Sequence, residues 1–221
     1  MAAKDLTTVN TTNYPHIGVF GGTFDPIHIG HIEPTKDAAK QLNLTQIRLM
    51  PAHIPPHKQG TYASTKQRID MVELVCNVEP LFIADKRETE RDKPSYTVDS
   101  LAQLKQQQPN AKIFFFIGTD SLLTLHTWHQ IEQIFELCHI VVTTRPGYKL
   151  SDGIAPAISR RITTNISDVI ENQVGQILLL NTCQFDVSST QIRQAVRQDQ
   201  DWHSYVHKNI EQYIKSEKLY R

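Results

Sequence analysis

Short apolar runs alternate with longer amphipathic stretches along most of the chain. The runs at 16–20, 47–50, 81–84, 112–117, 139–143 and 177–180 are mostly β-branched or aromatic and too short for helices, so they predict strands. Helices are predicted between them near 29–42, 65–78, 97–107, 119–137 and 155–171, with two more at about 189–198 and 204–217. In the second of these, Ile69, Val72 and Val75 with Cys76 recur at the spacing of one apolar helical face. Alternation of this kind predicts βαβ units, a parallel sheet covered on both faces, and right-handed crossovers. The polar, Thr- and Asn-rich residues 1–14 predict a flexible tail ahead of a single domain over 15–221. Ligands of such sheets sit beyond the carboxyl ends of the strands, at helix N-termini. That rule says where to look for chemistry.

The first predicted strand runs into Gly21, Gly22, Thr23, Phe24, Asp25, Pro26, Ile27, His28, Ile29, Gly30 and His31. Two glycines permit a tight turn and the close approach of a bulky anion. Asp25 followed by Pro26 reads as a helix start, with Asp as N-cap and Pro at the first helical position. His28 then falls in the first turn, and His31 lies on the same face three residues later. Gly30 removes a side chain that would crowd whatever the histidines face. Free N–H groups and the helix dipole favour a phosphate here. The same dipole disfavours imidazolium, so each histidine is expected to be a neutral N–H donor until a polyphosphate arrives. The spacing is neither GxGxxG nor GxxxxGK[ST], which weakens dehydrogenase and P-loop readings. Near the other end, Ser188, Ser189, Thr190, Gln191, Ile192 and Arg193 open another helix. Ser188 as N-cap with Gln191 at N3 has the form of a capping box, and Arg193 offers a bidentate fork to phosphate. Asp120, after a buried strand and Gly118, occupies the ligand position of this fold class.

A length of 221 residues allows one or two domains, and a chain of this size buries roughly 70% of its unfolded surface. Three widely spaced cysteines, Cys76, Cys138 and Cys183, make neither a disulfide framework nor a paired zinc motif and read as buried cytosolic thiols. The longest apolar run, Ile113 to Ile117, is far short of the ~18 residues of a membrane helix, and the N-terminus lacks the order of a signal peptide. A soluble cytoplasmic protein without a membrane partner is expected. The balance of 23 Lys and Arg against 23 Asp and Glu argues against a nucleic-acid coat. The mixed charge run 85–93 reads as a solvated loop. His126 and His129 share an HxxH spacing, but no third ligand accompanies them, so no protein-held metal is assigned.

The segment from Gly21 to His31 resembles the HxGH signature of the nucleotidyltransferase superfamily, and the segment from Ser188 to Arg193 resembles its SSTxIR motif. Further blocks are similar to those of the bacterial nicotinate-nucleotide adenylyltransferases: the GGTFDPIHxGH form of the first motif, Pro55-Pro56-His57-Lys58, Pro94-Ser95-Tyr96-Thr97, Phe116 to Leu122 with Trp128 beyond, and Arg145-Pro146-Gly147. The resemblance is collinear from about 16 to 215. It implies an α/β, doubly wound Rossmann-like parallel sheet with C-terminal helices. It also implies AMP transfer from ATP to nicotinate mononucleotide, giving nicotinate adenine dinucleotide and pyrophosphate in NAD synthesis, with Mg²⁺ carried on the phosphates.

Carried over residue by residue, His28, His31 and Arg193 are the expected catalytic groups. Gly21, Gly22, Thr23, Phe24, Lys58, Asp120, Ser188, Ser189 and Thr190 are the expected ATP contacts, with Asp120 on a nucleotide ribose. On the mononucleotide side the resemblance implies Tyr96, Thr97, Trp128, His129 and Arg145. Trp128 would stack on the pyridine ring, Thr97 and the backbone near His129 would recognise its carboxylate, and Arg145 would approach the phosphate. The acceptor phosphate is already ionised, so direct in-line attack needs no strong base and no covalent intermediate. Positioning can supply ~7–11 kcal/mol of the barrier, and donors on the α-phosphate and leaving pyrophosphate much of the rest. The nearest alternatives are adenylyl transfer to nicotinamide mononucleotide or to phosphopantetheine; a non-catalytic nucleotide sensor and a nucleic-acid module rank lower. Oligomeric state stays open. The cationic groups are expected to converge on one cleft, balanced elsewhere by acids such as those within 85–92.

Overall fold

The structure is a computed structural model that describes residues 14–52, 60–91, 96–144, 153–172 and 174–221. Seven parallel strands form one sheet in the order β3-β2-β1-β4-β5-β7-β6. They are β1 (His16–Gly22), β2 (Gln46–Pro51), β3 (Phe82–Ala84), β4 (Lys112–Ile117), β5 (His139–Thr144), β6 (Ile162–Thr163) and β7 (Ile177–Asn181). The helices are α1 (Ile29–Gln41), α2 (Thr65–Cys76), α3 (Thr97–Gln107), α4 (Thr119–Thr124), α5 (Ile131–Leu137), α6 (Pro156–Ser159), α7 (Ile166–Glu171), α8 (Ser189–Arg197) and α9 (Lys208–Ser216).

Strand β4 shows why the apolar runs become central strands. Its side chains alternate between the two faces, and both faces are covered. Phe114 and Phe116 pack with Ile32, Val72, Leu178, Ile192 and Ile210, whereas Ile113, Phe115 and Ile117 pack with Leu101, Leu122, Ile134 and Phe135. Helices α1, α2, α8 and α9 thus cover one face, and α3, α4 and α5 the other. This is the doubly wound architecture expected. Strand order reverses between β1 and β4, so the loops leaving Gly22 and Ile117 flank the crevice where such sheets bind ligands.

Several expectations are corrected. The predicted helix 119–137 is broken: a 3₁₀ turn spans Leu125–Thr127 and Gln130 adopts φ +52° before α5. The Thr124 and Thr127 hydroxyls donate to the carbonyls of Ser121 and Thr124, local bonds that compete with helix continuation. The predicted helix 155–171 is interrupted by β6, whose Ile162 and Thr163 pair with β7, and Asn165 then caps α7. Helix α9 begins at Lys208 rather than near 204. The buried face of α2 is Arg68, Met71, Val72 and Val75, one position round from the apolar stripe read from sequence. Cys183 is exposed, unlike Cys138. Over its described residues the charge run after β3 is only partly solvated: Lys86 and Glu90 are exposed, but Asp85, Arg87 and Glu88 are buried. Arg87 grips Asp85 through Nε at 2.8 Å and Nη2 at 2.7 Å, and Arg48 adds a third contact at 3.2 Å. Burial opposes ionisation of Asp85, but these bonds outweigh it and hold its carboxyl below the usual range. On the same run Glu88 accepts from Ser100 of α3 at 2.7 Å. These acids serve the packing of α3 rather than a distant charge balance.

Candidate active site

Glycines make room within β1 and at its end. A Cβ on Gly22 would lie 2.9 Å from the Phe24 ring, and one on Gly18 would meet Phe116 at the same distance. Phe24 itself takes a left-handed φ of +51°, and the Asp25–Pro26 peptide is cis. The chain then enters α1 later than expected. His28, not Asp25, is the N-cap, and His31 is N3. The backbone N–H of His28 donates to His31 Nδ1 at 3.2 Å, while the His31 N–H returns to the His28 carbonyl at 2.8 Å. Asp25 does other work. Its buried carboxylate accepts from the N–H groups of Tyr62 at 2.8 Å and Ala63 at 3.1 Å and from the Tyr220 hydroxyl at 2.8 Å.

The imidazoles of His28 and His31 lie face to face, with centroids 3.7 Å apart, and Phe24 meets His31 edge-on at 5.4 Å. His28 is 4% exposed. Burial, with the nearby His31 adding, pushes its pKa down to about 2, so it is neutral at physiological pH. Sequence reasoning expected that neutrality from the helix dipole; desolvation is the larger cause. His28 Nδ1 is buried and has no hydrogen-bond partner among the described residues. A buried polar atom without a partner costs free energy unless a ligand or water meets it. Gly30 seats this ring: a Cβ there would come within 3.1 Å of His28 and 3.0 Å of Val187.

Helix α8 arrives at the same turn. Ser188 caps it, accepting from Gln191 N–H at 3.2 Å and donating to Gln191 Oε1 at 2.8 Å. Ser189 Oγ donates to the Pro26 carbonyl at 2.9 Å, and Arg193 Nη1 donates to the Asp25 carbonyl at 2.7 Å. Arg193 Nη2 also bonds Thr190 Oγ1, and its guanidinium lies over the Tyr62 ring at 4.5 Å. The first and last motifs of the sequence, about 160 residues apart, are therefore one structure with two helix N-termini. The Ser188 and Ser189 hydroxyls already donate within the protein, so the donors that the start of α8 can offer a ligand are its opening N–H groups. Arg68 was missed by sequence reading. Fully buried, it donates to the Thr23 carbonyl at 2.8 Å and supports the loop from beneath; a charged residue among Met71, Val72 and Val75 was its only signal.

Across the switch point, Tyr96 at the N-cap of α3 stacks with His129 at 4.5 Å, and Thr97 opens that helix. Trp128 meets Phe115 edge-on at 6.1 Å, and Phe115 also backs Gly21. Asp120 is exposed in the first turn of α4, so close to Gly118 that a Cβ there would sit 2.6 Å from its Oδ1. Lys58 and Arg145 lie outside the described residues, as do residues 1–13 of the expected tail. An open cleft of about 680 Å³ between α8 and α9 is lined by Arg197, Trp202, Lys215 and others, none of them an expected site residue. Among the described residues, Glu33, Glu79 and His207 alone group as potential metal ligands, and the Lys36 ammonium already bonds both carboxylates at 3.3 and 2.9 Å. No described helix is long and apolar enough to cross a membrane.

A model of the cytidylyltransferase-like family matches residues 19–195. The chain belongs to this family. Among its relatives are proteins named "Probable nicotinate-nucleotide adenylyltransferase". One from Shewanella frigidimarina is 43% identical over 209 residues, covering 93% of this chain and 99% of that protein. Another from Aeromonas salmonicida is 40% identical over 207 residues, covering 93% and 97%. At this identity and coverage, the cytidylyltransferase-like protein described here stands among the nicotinate-nucleotide adenylyltransferases. The fold also matches Plasmodium falciparum nicotinic acid mononucleotide adenylyltransferase complexed with NaAD, with a TM-score of 0.72 over 94% of this chain and 98% of that one, at 20% identity.

Proposed function

We propose that this enzyme transfers AMP from ATP to nicotinate mononucleotide, giving nicotinate adenine dinucleotide and pyrophosphate, a step of NAD synthesis carried out in the cytoplasm. The observation that carries the reading is the joining of the α8 N-terminus to the His28–His31 turn through Ser189 and Arg193. Two helix N-termini meet at this turn, beside a buried imidazole nitrogen without a hydrogen-bond partner among the described residues, and this supports reading it as a receptor for a polyphosphate. His28 and His31 bind the triphosphate at the transferring α-phosphate, and the α8 N-terminus with Arg193 holds the departing pyrophosphate. Asp120 takes the ribose of the adenylyl group. The α3–α5 side, with Tyr96, Thr97, Trp128 and His129, receives the pyridine nucleotide. Lys58 and Arg145 complete the cationic set.

The acceptor phosphate attacks the α-phosphate in line, and the P–O bond to pyrophosphate breaks. No side chain is consumed as a nucleophile. Carried on the triphosphate, Mg²⁺ would offset its charge without a carboxylate cage from the protein. That fits this turn, where the carboxylate of Asp25 already accepts from three protein donors. Incubating the purified protein with MgATP and, separately, nicotinate mononucleotide, nicotinamide mononucleotide and phosphopantetheine tests the reading. Pyrophosphate should appear fastest with the first. Faster release with either of the others reassigns the acceptor, and ATP binding without release with any of them makes the protein a nucleotide sensor.

A further inference from the structure

Asp25 sits within the turn proposed to bind phosphate, yet its carboxylate gathers three donors from two distant parts of the chain. Two are the backbone N–H groups of Tyr62 and Ala63, and the third is the hydroxyl of Tyr220, 195 residues away in sequence. Tyr220 lies in the stretch after α9 and is 6% exposed. Helix α9 closes on a left-handed cap at Lys218, with φ +54° and its N–H on the Lys215 carbonyl. Tyr220 follows with its own left-handed φ of +64°, a conformation that persists at a non-glycine residue only where its surroundings hold it; its hydroxyl meets the Asp25 carboxylate. Its neighbour Leu219 is buried in the core beside α9 and donates to the Ile214 carbonyl at 3.0 Å. Burial and the facing Asp25 push ionisation of the Tyr220 hydroxyl up, so it remains a donor across the working pH range.

From this geometry we infer that Tyr220 is a positioning residue for the triphosphate: its hydroxyl fixes Asp25, and Asp25 fixes the turn that presents the backbone amides and His28. The link to the ligand is short. The same residue whose carboxylate Tyr220 holds offers its carbonyl to Arg193, and Arg193 lies over the ring of Tyr62, whose backbone N–H bonds that carboxylate. Turning Asp25 therefore moves both phosphate-facing helix N-termini, while α3, α4 and α5 on the other face of the sheet make no part of this circuit. The inference deepens the adenylyl-transfer reading at its ATP side and rests on it for the identity of the reaction.

The test compares wild type with Tyr220→Phe, which keeps the buried ring and deletes one oxygen. Val169→Ala, at the fully buried position of α7, serves as a control that lowers stability away from the Tyr220 segment. Dissociation constants are measured by calorimetry for Mg²⁺ with an ATP analogue carrying a non-hydrolysable α,β-bridge, along with KM for each substrate, kcat and Tm. A hydrogen bond to a buried carboxylate is among the stronger ones. For Tyr220→Phe we expect Kd for the analogue and KM for ATP to rise about tenfold, with the acceptor KM within twofold of wild type. Val169→Ala should lower Tm and leave both KM values in place. In an Asp25→Asn background the effect of Tyr220→Phe should shrink severalfold, because the hydroxyl acts through that carboxylate. Unchanged analogue affinity in Tyr220→Phe, or equal changes in both KM values, overturns the inference. The binding measurement decides it even if the wild-type enzyme prefers another acceptor, so failure of the functional reading and failure of this inference remain distinguishable.

Discussion

Replacing Gly30 with alanine should separate the enzyme's stability from its activity. The added Cβ would stand 3.1 Å from two atoms of the His28 ring and 3.0 Å from Val187 Cγ1, against the ~3.5–4.0 Å of a comfortable carbon contact. About half an ångström must be found. The His28 ring is stacked on His31 at 3.7 Å, so its recoil disturbs the pair. Helix propensity works in the opposite direction, since alanine within a helix is worth up to ~1 kcal/mol over glycine. Strain of about 1 kcal/mol from overpacking offsets that gain. The net change in folding free energy is therefore within about 1 kcal/mol, or roughly 2–4 °C in Tm for a chain of this size. Catalysis is less forgiving. A misplacement of ~1 Å can cost about 10²-fold, so half that distance should lower kcat about tenfold. The measurements are pyrophosphate release at saturating substrates and a thermal melt of the same preparation. Adding Val187→Ala gives the new methyl group a place to go and should restore part of the rate. Full turnover in Gly30→Ala, with an unaltered melt, would refute the claim that the missing side chain seats His28.

The other expectations concern charge and burial. His28→Ala should lower kcat at least tenfold with the fold intact by circular dichroism, since one donor at a developing charge is worth this much or more; wild-type turnover would remove His28 from the mechanism. His139 is fully buried, and burial, with Lys112 and His16 adding, lowers its pKa to about 4 from an unfolded value of 6.5. The unfolded chain then binds the extra proton between these values, so stability is complete above about pH 6.5 and falls by about 1.4 kcal/mol per unit as pH drops toward 4. Urea midpoints for His139→Gln should show a shallower slope over that window, and an identical slope would mean that other groups cause it. Arg87→Ala leaves Asp85 buried with Arg48 as its remaining ionic partner and should cost about 3 kcal/mol in urea denaturation. Lys66→Ala breaks an exposed pair with Asp70 and should leave Tm within error.

The parts legible in the sequence are those whose cause is local. Strand β4 could be read because both its faces are buried, so every position after Lys112 is apolar. The His28–His31 turn could be read because its glycines, cap and histidines are contiguous, and α8 because Ser188 and Gln191 form a cap within one turn. Where a local rule failed, another local bond won: threonine hydroxyls ended α4, and Ile162 with Thr163 found a strand partner in β7. The placement of Asp25 failed for a different reason. Asp followed by Pro is a sound helix-start signal, but three donors from residues 37 to 195 positions away took the carboxylate instead. Arg68 and Tyr220 were silent for the same cause: a fully buried arginine looks like a surface charge until the carbonyl it serves is known.

Net charge shows how the two kinds of information combine. A balance of 23 against 23 seems ill suited to two anionic substrates. A field confined to one cleft needs no net excess, and sequence reasoning placed the compensating acids far from it, in the run after β3. The structure puts compensation elsewhere and makes it local. Asp85 is consumed by Arg87 and Arg48, and Asp25 by backbone N–H groups and a hydroxyl. Asp25 therefore lies inside the phosphate-binding turn with its charge already satisfied by hydrogen bonds. Among the described residues, the reading proposed above then rests on the amide dipoles of α1 and α8, the neutral His28 and the fork of Arg193. A turn built this way attracts polyanions through oriented dipoles, which salt screens less than exposed lysines. The affinity for ATP should accordingly depend more on Gly30 and Asp25, which orient those dipoles, than on the overall charge of the chain.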